Sequence, residues 1–132
     1  MEKKAIILKT SATDSPYSPA MVYGSLVFVS GQVPIDPKKG NLISNDFEQQ
    51  VEQTFVNLKT ILEEAGSSLD RVIKTTAFLT DMGDFPKLNE VYKKHFQKDR
   101  PARSCVEVSR LPFNRSPGKF PAACRDKYKI PN

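Results

Sequence analysis

Between residues 47 and 65 the apolar residues Phe47, Val51, Phe55, Leu58, Leu62 and Ala65 recur at spacings of three and four. That period places them on one stripe of an α-helix. A helix with a single apolar stripe must lay it against another layer, so a free-standing helical chain is excluded. The spacing predicts a helix over 47–65, opened by a capping pair of Asn45 with Glu48 and stopped at Gly66. Glu63 and Glu64 belong to its polar face.

The layer to receive that stripe is written around it. Residues 20–30 are rich in β-branched and aromatic side chains and are interrupted by Gly24-Ser25, which predicts a hairpin of strands 20–23 and 26–30. The unbroken run Leu26-Val27-Phe28-Val29 reads as a strand covered on both faces, the second one by a partner subunit. Pro34, Pro37 and Gly40 mark a loop. Val72 to Thr80 is a β-branched run, hence a strand. Asp84 caps a second helix with Pro86 in its first turn, and Leu88, Val91, Tyr92 and Phe96 form its buried stripe. A strand at 104–108 follows. The order β-β-α-β-α-β predicts an α+β fold, a sheet carrying two helices on one face, with oligomerisation covering the other.

At 132 residues the chain is expected to be one domain, 1–132, with a core that needs neither disulfide nor metal. No apolar run reaches the length of a membrane span, and the short run Ala5 to Leu8 ends too early for a signal peptide. The expected location is cytoplasmic, with no membrane partner. A single histidine, His95, excludes a His-based metal cluster or triad within one chain. Cys105 and Cys124 lack metal-ligand spacing, and a disulfide between them is not expected in a reducing cytosol. No GxGxxG, P-loop or HExxH pattern occurs. The net charge of +5 is spread over short clusters, which reads as solvated surface; RNA is a permitted partner but not the favoured one.

Chemistry concentrates in Pro101-Ala102-Arg103-Ser104-Cys105-Val106-Glu107-Val108-Ser109-Arg110-Leu111-Pro112. Strand alternation puts Arg103, Cys105 and Glu107 on one side and Ser104, Val106 and Val108 on the other, the apolar side reading as the core face. Arg103 and Cys105 are then about 7 Å apart along the strand. A guanidinium fork at the mouth of a strand suits a small carboxylate, since it can bind both oxygens. On spacing alone, a surface arginine and a buried free cysteine account for the pattern better.

This segment closely resembles the signature of the Rid family, also called YjgF or L-PSP proteins, small imine and enamine deaminases. Ser15-Pro16-Tyr17-Ser18 resembles its GPYS element, and Ser30-Gly31-Gln32-Val33-Pro34 resembles SGQ[IV]P. Val72-Ile73-Lys74-Thr75-Thr76 resembles VVKTT, and Asn89-Glu90-Val91-Tyr92 resembles NEVY. The resemblance implies a chorismate-mutase-like two-layer sandwich, a mixed sheet with two helices on one face. It further implies a homotrimer whose clefts lie between subunits, and no metal or cofactor. Its implied ligands are small 2-imino and 2-keto acids. It makes Arg103 the carboxylate-binding residue and Cys105 a pocket residue whose backbone holds water. It makes Tyr17, Ser30, Gly31 and Asn89 the shapers of the cleft. Beside these roles stand plainer ones: a packed aromatic for Tyr17, a strand-end turn for Ser30 and Gly31, a solvent-facing helix residue for Asn89, and an apolar filler for Cys105.

Residues 113–132 depart from the family pattern. Relatives of this kind carry a strand resembling VEIEAIA, whose second glutamate is thought to activate water. Here no Asp or Glu lies between Leu111 and Arg125, and the alignment sets Ala123 where the acid is expected. Pro121 removes a ladder donor there, and Asp126 fits only after a register shift. Either Glu107 or another acid substitutes, or activity is weakened. The expected function is hydrolytic deamination of 2-iminobutanoate or 2-iminopropanoate. The alternatives are a ribonuclease or translation inhibitor, and a non-catalytic trimer that binds small carboxylates.

Overall fold

The computed structural model describes residues 2–9 and 15–112. Its elements run β1 (Lys3–Ile6), β2 (Ala20–Tyr23), β3 (Leu26–Val29), β4 (Ile35–Asp36), β5 (Asn41–Leu42), α1 (Phe47–Glu64), β6 (Lys74–Leu79), α2 (Phe85–His95) and β7 (Ala102–Glu107). Short 3-10 turns at Leu69–Arg71 and Met82–Asp84 precede β6 and α2. The fold class is α+β, with two helices and mixed strand pairing, as expected. The strands fall into three hydrogen-bonded groups among the described residues: antiparallel β1-β2-β3, the small pair β4-β5, and parallel β6-β7. No helix among these residues is long and apolar enough to cross a membrane.

The expected hairpin is present, and Gly24 supplies the φ of +60° that its turn requires. Two features escape the sequence reading. β1 pairs with β2 from Lys3 opposite Tyr23 to Ile6 opposite Ala20. The Pro- and Gly-marked loop contains the short pair β4-β5. β6 is shorter than the predicted 72–80, because Leu69–Arg71 forms a turn and Val72 enters the core outside the strand.

α1 buries Phe47, Val51, Phe55, Leu58 and Leu62 as its spacing requires. Its cap is Asp46 rather than Asn45: the Asp46 carboxylate accepts the Gln49 N–H at 2.9 Å. The reason is geometric, since the cap must sit immediately before the first helical residue, Phe47, to reach the third amide. The helix ends as predicted, with Gly66 at φ +80°. There Ser67 N–H donates to the Leu62 carbonyl and Gly66 N–H to that of Glu63, the double bond of a Schellman stop. α2 buries Leu88, Val91 and Tyr92, and Phe96 just beyond it. Asp84 holds the cap position of α2, but its side chain makes no capping hydrogen bond.

Along β3 Val27 and Val29 are buried while Phe28 is 39% exposed, so the chain itself covers one face of the strand. One facing expectation is corrected. In β7 the core face is the opposite of the predicted one. Register pairs Arg103 with Thr75, Cys105 with Ala77 and Glu107 with Leu79. Those β6 residues are fully buried, whereas Val106 is 44% exposed. The strand therefore turns its polar-looking side toward the helix layer and its valine away. Alternation makes this an all-or-none choice, and the parallel register with β6 decides it.

Candidate carboxylate-binding site

That inversion builds the site. Arg103, placed on the helix-facing side of β7, reaches α2, where its Nη2 donates to Asn89 Oδ1 at 2.8 Å. The guanidinium carbon lies 4.8 Å from the centroid of the Tyr92 ring and 5.2 Å from that of Phe85. Phe85, Asn89 and Tyr92 follow one another at i, i+4 and i+7, hence on one helix face. The two ring faces attract the cation and restrain its plane, and the carboxamide fixes its rotation. Beneath this, the Tyr92 hydroxyl is hydrogen-bonded to the hydroxyl of Thr75, the strand neighbour of Arg103. Thr75 is fully buried. Phe55 of α1 meets the Tyr92 ring edge-on at 5.6 Å, which ties the platform to the main core.

Arg103 is half-buried, and neither of the two ion pairs among the described residues, Lys59–Glu63 and His95–Glu52, includes it. Arginine carries five N–H donors in a planar fork. Among the described residues, one of them is taken by Asn89. An oriented, partly desolvated cation with no carboxylate partner among the described residues is chemically a receptor for a small anion, best a planar carboxylate.

Cys105 follows on the same face, partly buried and packed against the core. Burial pushes its thiol up from the ordinary value, and the Arg103 charge pulls the other way less strongly. A thiol so held is a poor nucleophile at neutral pH. Glu107 does not share the Arg103 site. It is exposed, lies about 13 Å further along the strand, and its carboxylate accepts the Met82 N–H at 2.9 Å.

The residues expected to shape a cleft form two groups. Asn89 joins Arg103 directly. Ser30 and the Tyr17 loop form the other: the Ser30 hydroxyl donates to the Ser18 carbonyl at 2.6 Å, and Ser30 N–H to that of Pro19 at 2.9 Å. Gly31 is exposed just past this anchor, and Tyr17 is 66% exposed. Among the described residues, the side-chain hydrogen bond and ring contacts of Arg103 come from α2, not from this loop. Phe85, Tyr92 and Thr75 went unrecognised as site residues in the sequence. The available signal was an asparagine set at helical spacing between two aromatic residues. Ala123, Pro121 and Asp126, on which the question of the missing acid turns, lie outside the described residues. Among the described residues no group of His, Cys, Asp and Glu is gathered to hold a metal.

Comparison with known proteins identifies the family of this chain. The sequence profile described as Endoribonuclease L-PSP matches residues 8–116. A RutC family protein of Pyrococcus horikoshii is 53% identical over 97 residues, 74% of this chain and 77% of that one. The 2-iminobutanoate/2-iminopropanoate deaminase of Mus musculus is 40% identical over 104 residues, 79% of this chain and 77% of that one. Among solved structures, TdcF of E. coli with bound serine superposes with a TM-score of 0.81 at 36% identity, covering 98% of this chain and 99% of that one. With the profile spanning most of its residues, the chain belongs to the L-PSP family, the Rid or YjgF proteins.

Proposed function

We propose that this protein hydrolyses short 2-imino acids, 2-iminobutanoate and 2-iminopropanoate, to the 2-keto acid and ammonia in the cytoplasm. The observation that carries the reading is Arg103, held by Asn89 between the Phe85 and Tyr92 rings and left without a protein carboxylate among the described residues. A 2-imino acid bears a carboxylate next to an electrophilic C=N carbon. Gripping both carboxylate oxygens fixes the direction from which water meets that carbon. Addition of water gives a carbinolamine, and loss of its nitrogen as ammonia leaves the keto acid. The mouse relative named for this reaction, and the relative with serine bound, another small carboxylate, support the substrate class.

The working unit in this reading is a homotrimer. Phe28 and Val106 stay exposed on the sides of their strands away from the helices, and Tyr17 is left largely uncovered. A neighbouring subunit would bury the first two and bring a Tyr17 loop to an Arg103 that its own chain does not serve. Cys105 contributes its backbone and no covalent step. Water activation is the weak point, since the one carboxylate on the Arg103 face of β7, Glu107, is already engaged by Met82. That observation keeps the non-catalytic carboxylate binder as the second reading.

The test is a coupled assay in which an amino-acid dehydratase generates the imine. Faster keto-acid release with the protein, abolished in Arg103→Ala, supports the enzyme. Binding of 2-ketobutyrate with no acceleration supports the binder. Absence of both sinks the receptor reading altogether. In the same assay Ala123→Glu raises turnover if the missing acid limits the parent.

A further inference from the structure

The engagement of Glu107 has a reason in the architecture around it. β7 carries both Arg103 and Glu107 on its helix-facing side. Met82, whose amide Glu107 holds, opens the Met82–Asp84 turn, and that turn runs directly into α2. The first turns of α2 present Phe85 and Asn89, two of the groups that orient Arg103. One strand thus grips the start of α2 at two points, through the guanidinium and through the carboxylate. The turn is capped by Asp81, whose side chain accepts the Gly83 N–H at 2.8 Å.

We infer that Glu107 is a positioning residue for the Arg103 receptor, clamping the Met82–Asp84 turn so that Phe85 and Asn89 meet the guanidinium, and that it is not the base. This rests on the carboxylate-receptor reading and deepens it. The amide oxygen of glutamine can accept the same N–H and sheds the charge, so the two roles separate cleanly. Positioning survives Glu107→Gln, and general-base catalysis does not.

The experiment measures imine hydrolysis and 2-ketobutyrate affinity, the latter by NMR titration, for the parent, Glu107→Gln, Glu107→Ala and Arg103→Ala. Glu107→Gln is expected to match the parent in both. Glu107→Ala is expected to raise KM and the 2-ketobutyrate Kd about five-fold, the worth of one modest hydrogen bond, with kcat little changed. Should Glu107→Ala not fold, Glu107→Asp, which shortens the reach by one methylene, takes its place with the same expected rise. Loss of kcat in Glu107→Gln overturns the inference in favour of a base. Parent-like affinity in Glu107→Ala, while Arg103→Ala has lost binding, overturns positioning alone. A parent that neither binds 2-ketobutyrate nor hydrolyses the imine overturns the receptor reading itself, and the positioning role with it.

Discussion

The hydroxyl pair under Arg103 offers the sharpest separation of stability from function. Thr75 is fully buried and Tyr92 is 6% exposed, and their hydroxyls are hydrogen-bonded to each other. Tyr92→Phe keeps the ring 4.8 Å from the guanidinium carbon but strips Thr75 of this partner. Leaving a buried hydroxyl unsatisfied costs about 1–3 kcal/mol. For a chain of this size that lowers Tm by roughly 4–10 °C. Thr75→Val alone breaks the same bond from the other side and should also lower stability. The double variant removes both polar groups and fills the same space, so it should be nearly neutral. The double-mutant cycle then shows a coupling close to the sum of the two single losses, about 2 kcal/mol or more. The assay is urea unfolding at fixed pH on all four proteins, with KM for the imine measured on the folded fraction. KM in Tyr92→Phe should stay near the parent value, since the face under the cation is intact, whereas Tyr92→Leu should raise it. Additive single losses in the cycle, or a Tyr92→Phe protein as stable as the parent, would refute the argument that this bond fastens the platform.

Other outcomes follow from the same geometry. Arg103→Ala should lower kcat/KM for the imine by about 100-fold or more, the loss of a charge-assisted fork, while circular dichroism and Tm change little; Arg103→Lys should rescue poorly, because an ammonium is a point charge. Burial raises the Cys105 thiol above its ordinary value, so the folded state binds that proton more tightly than the unfolded one. Its contribution is therefore fully present below the ordinary thiol pKa and is lost as pH rises through the folded value. Comparing parent with Cys105→Ser by unfolding between pH 8 and 10 (roughly the thiol range) should show the steeper decline in the parent. Iodoacetamide labelling of the Cys105 peptide should be slow at neutral pH; rapid labelling would contradict the burial argument. Leu62→Ala, at a fully buried site, should cost about 2–5 kcal/mol. Light scattering should report a trimer, and Val106→Lys should shift it toward monomer by placing a charge on the uncovered side of β7; an unchanged trimer would place the interface elsewhere.

Local pattern alone determined much of this protein. The period-3.6 stripe made α1, and its stop at Gly66 was readable because only a residue at ease with positive φ closes a helix that way. The buried stripe of α2, the Ala20–Val29 hairpin and the α+β class were legible for the same reason: each rests on residues close in sequence. The singling out of Arg103 needed the resemblance, since its spacing alone fits an ordinary surface arginine. Tertiary structure decided what depends on partners far along the chain. Val106 argued for the opposite facing of β7, but register with β6 sets all of its side chains at once and put Arg103, Cys105 and Glu107 on the helix-facing side. β1 was invisible because a four-residue strand with three exposed positions has no periodicity of its own and exists through pairing with β2. The meaning of Tyr92 changed in the same way. Its spacing marks it as core, which it is; only the packing of β7 beside α2 brings a guanidinium to its face and makes a core residue part of a receptor.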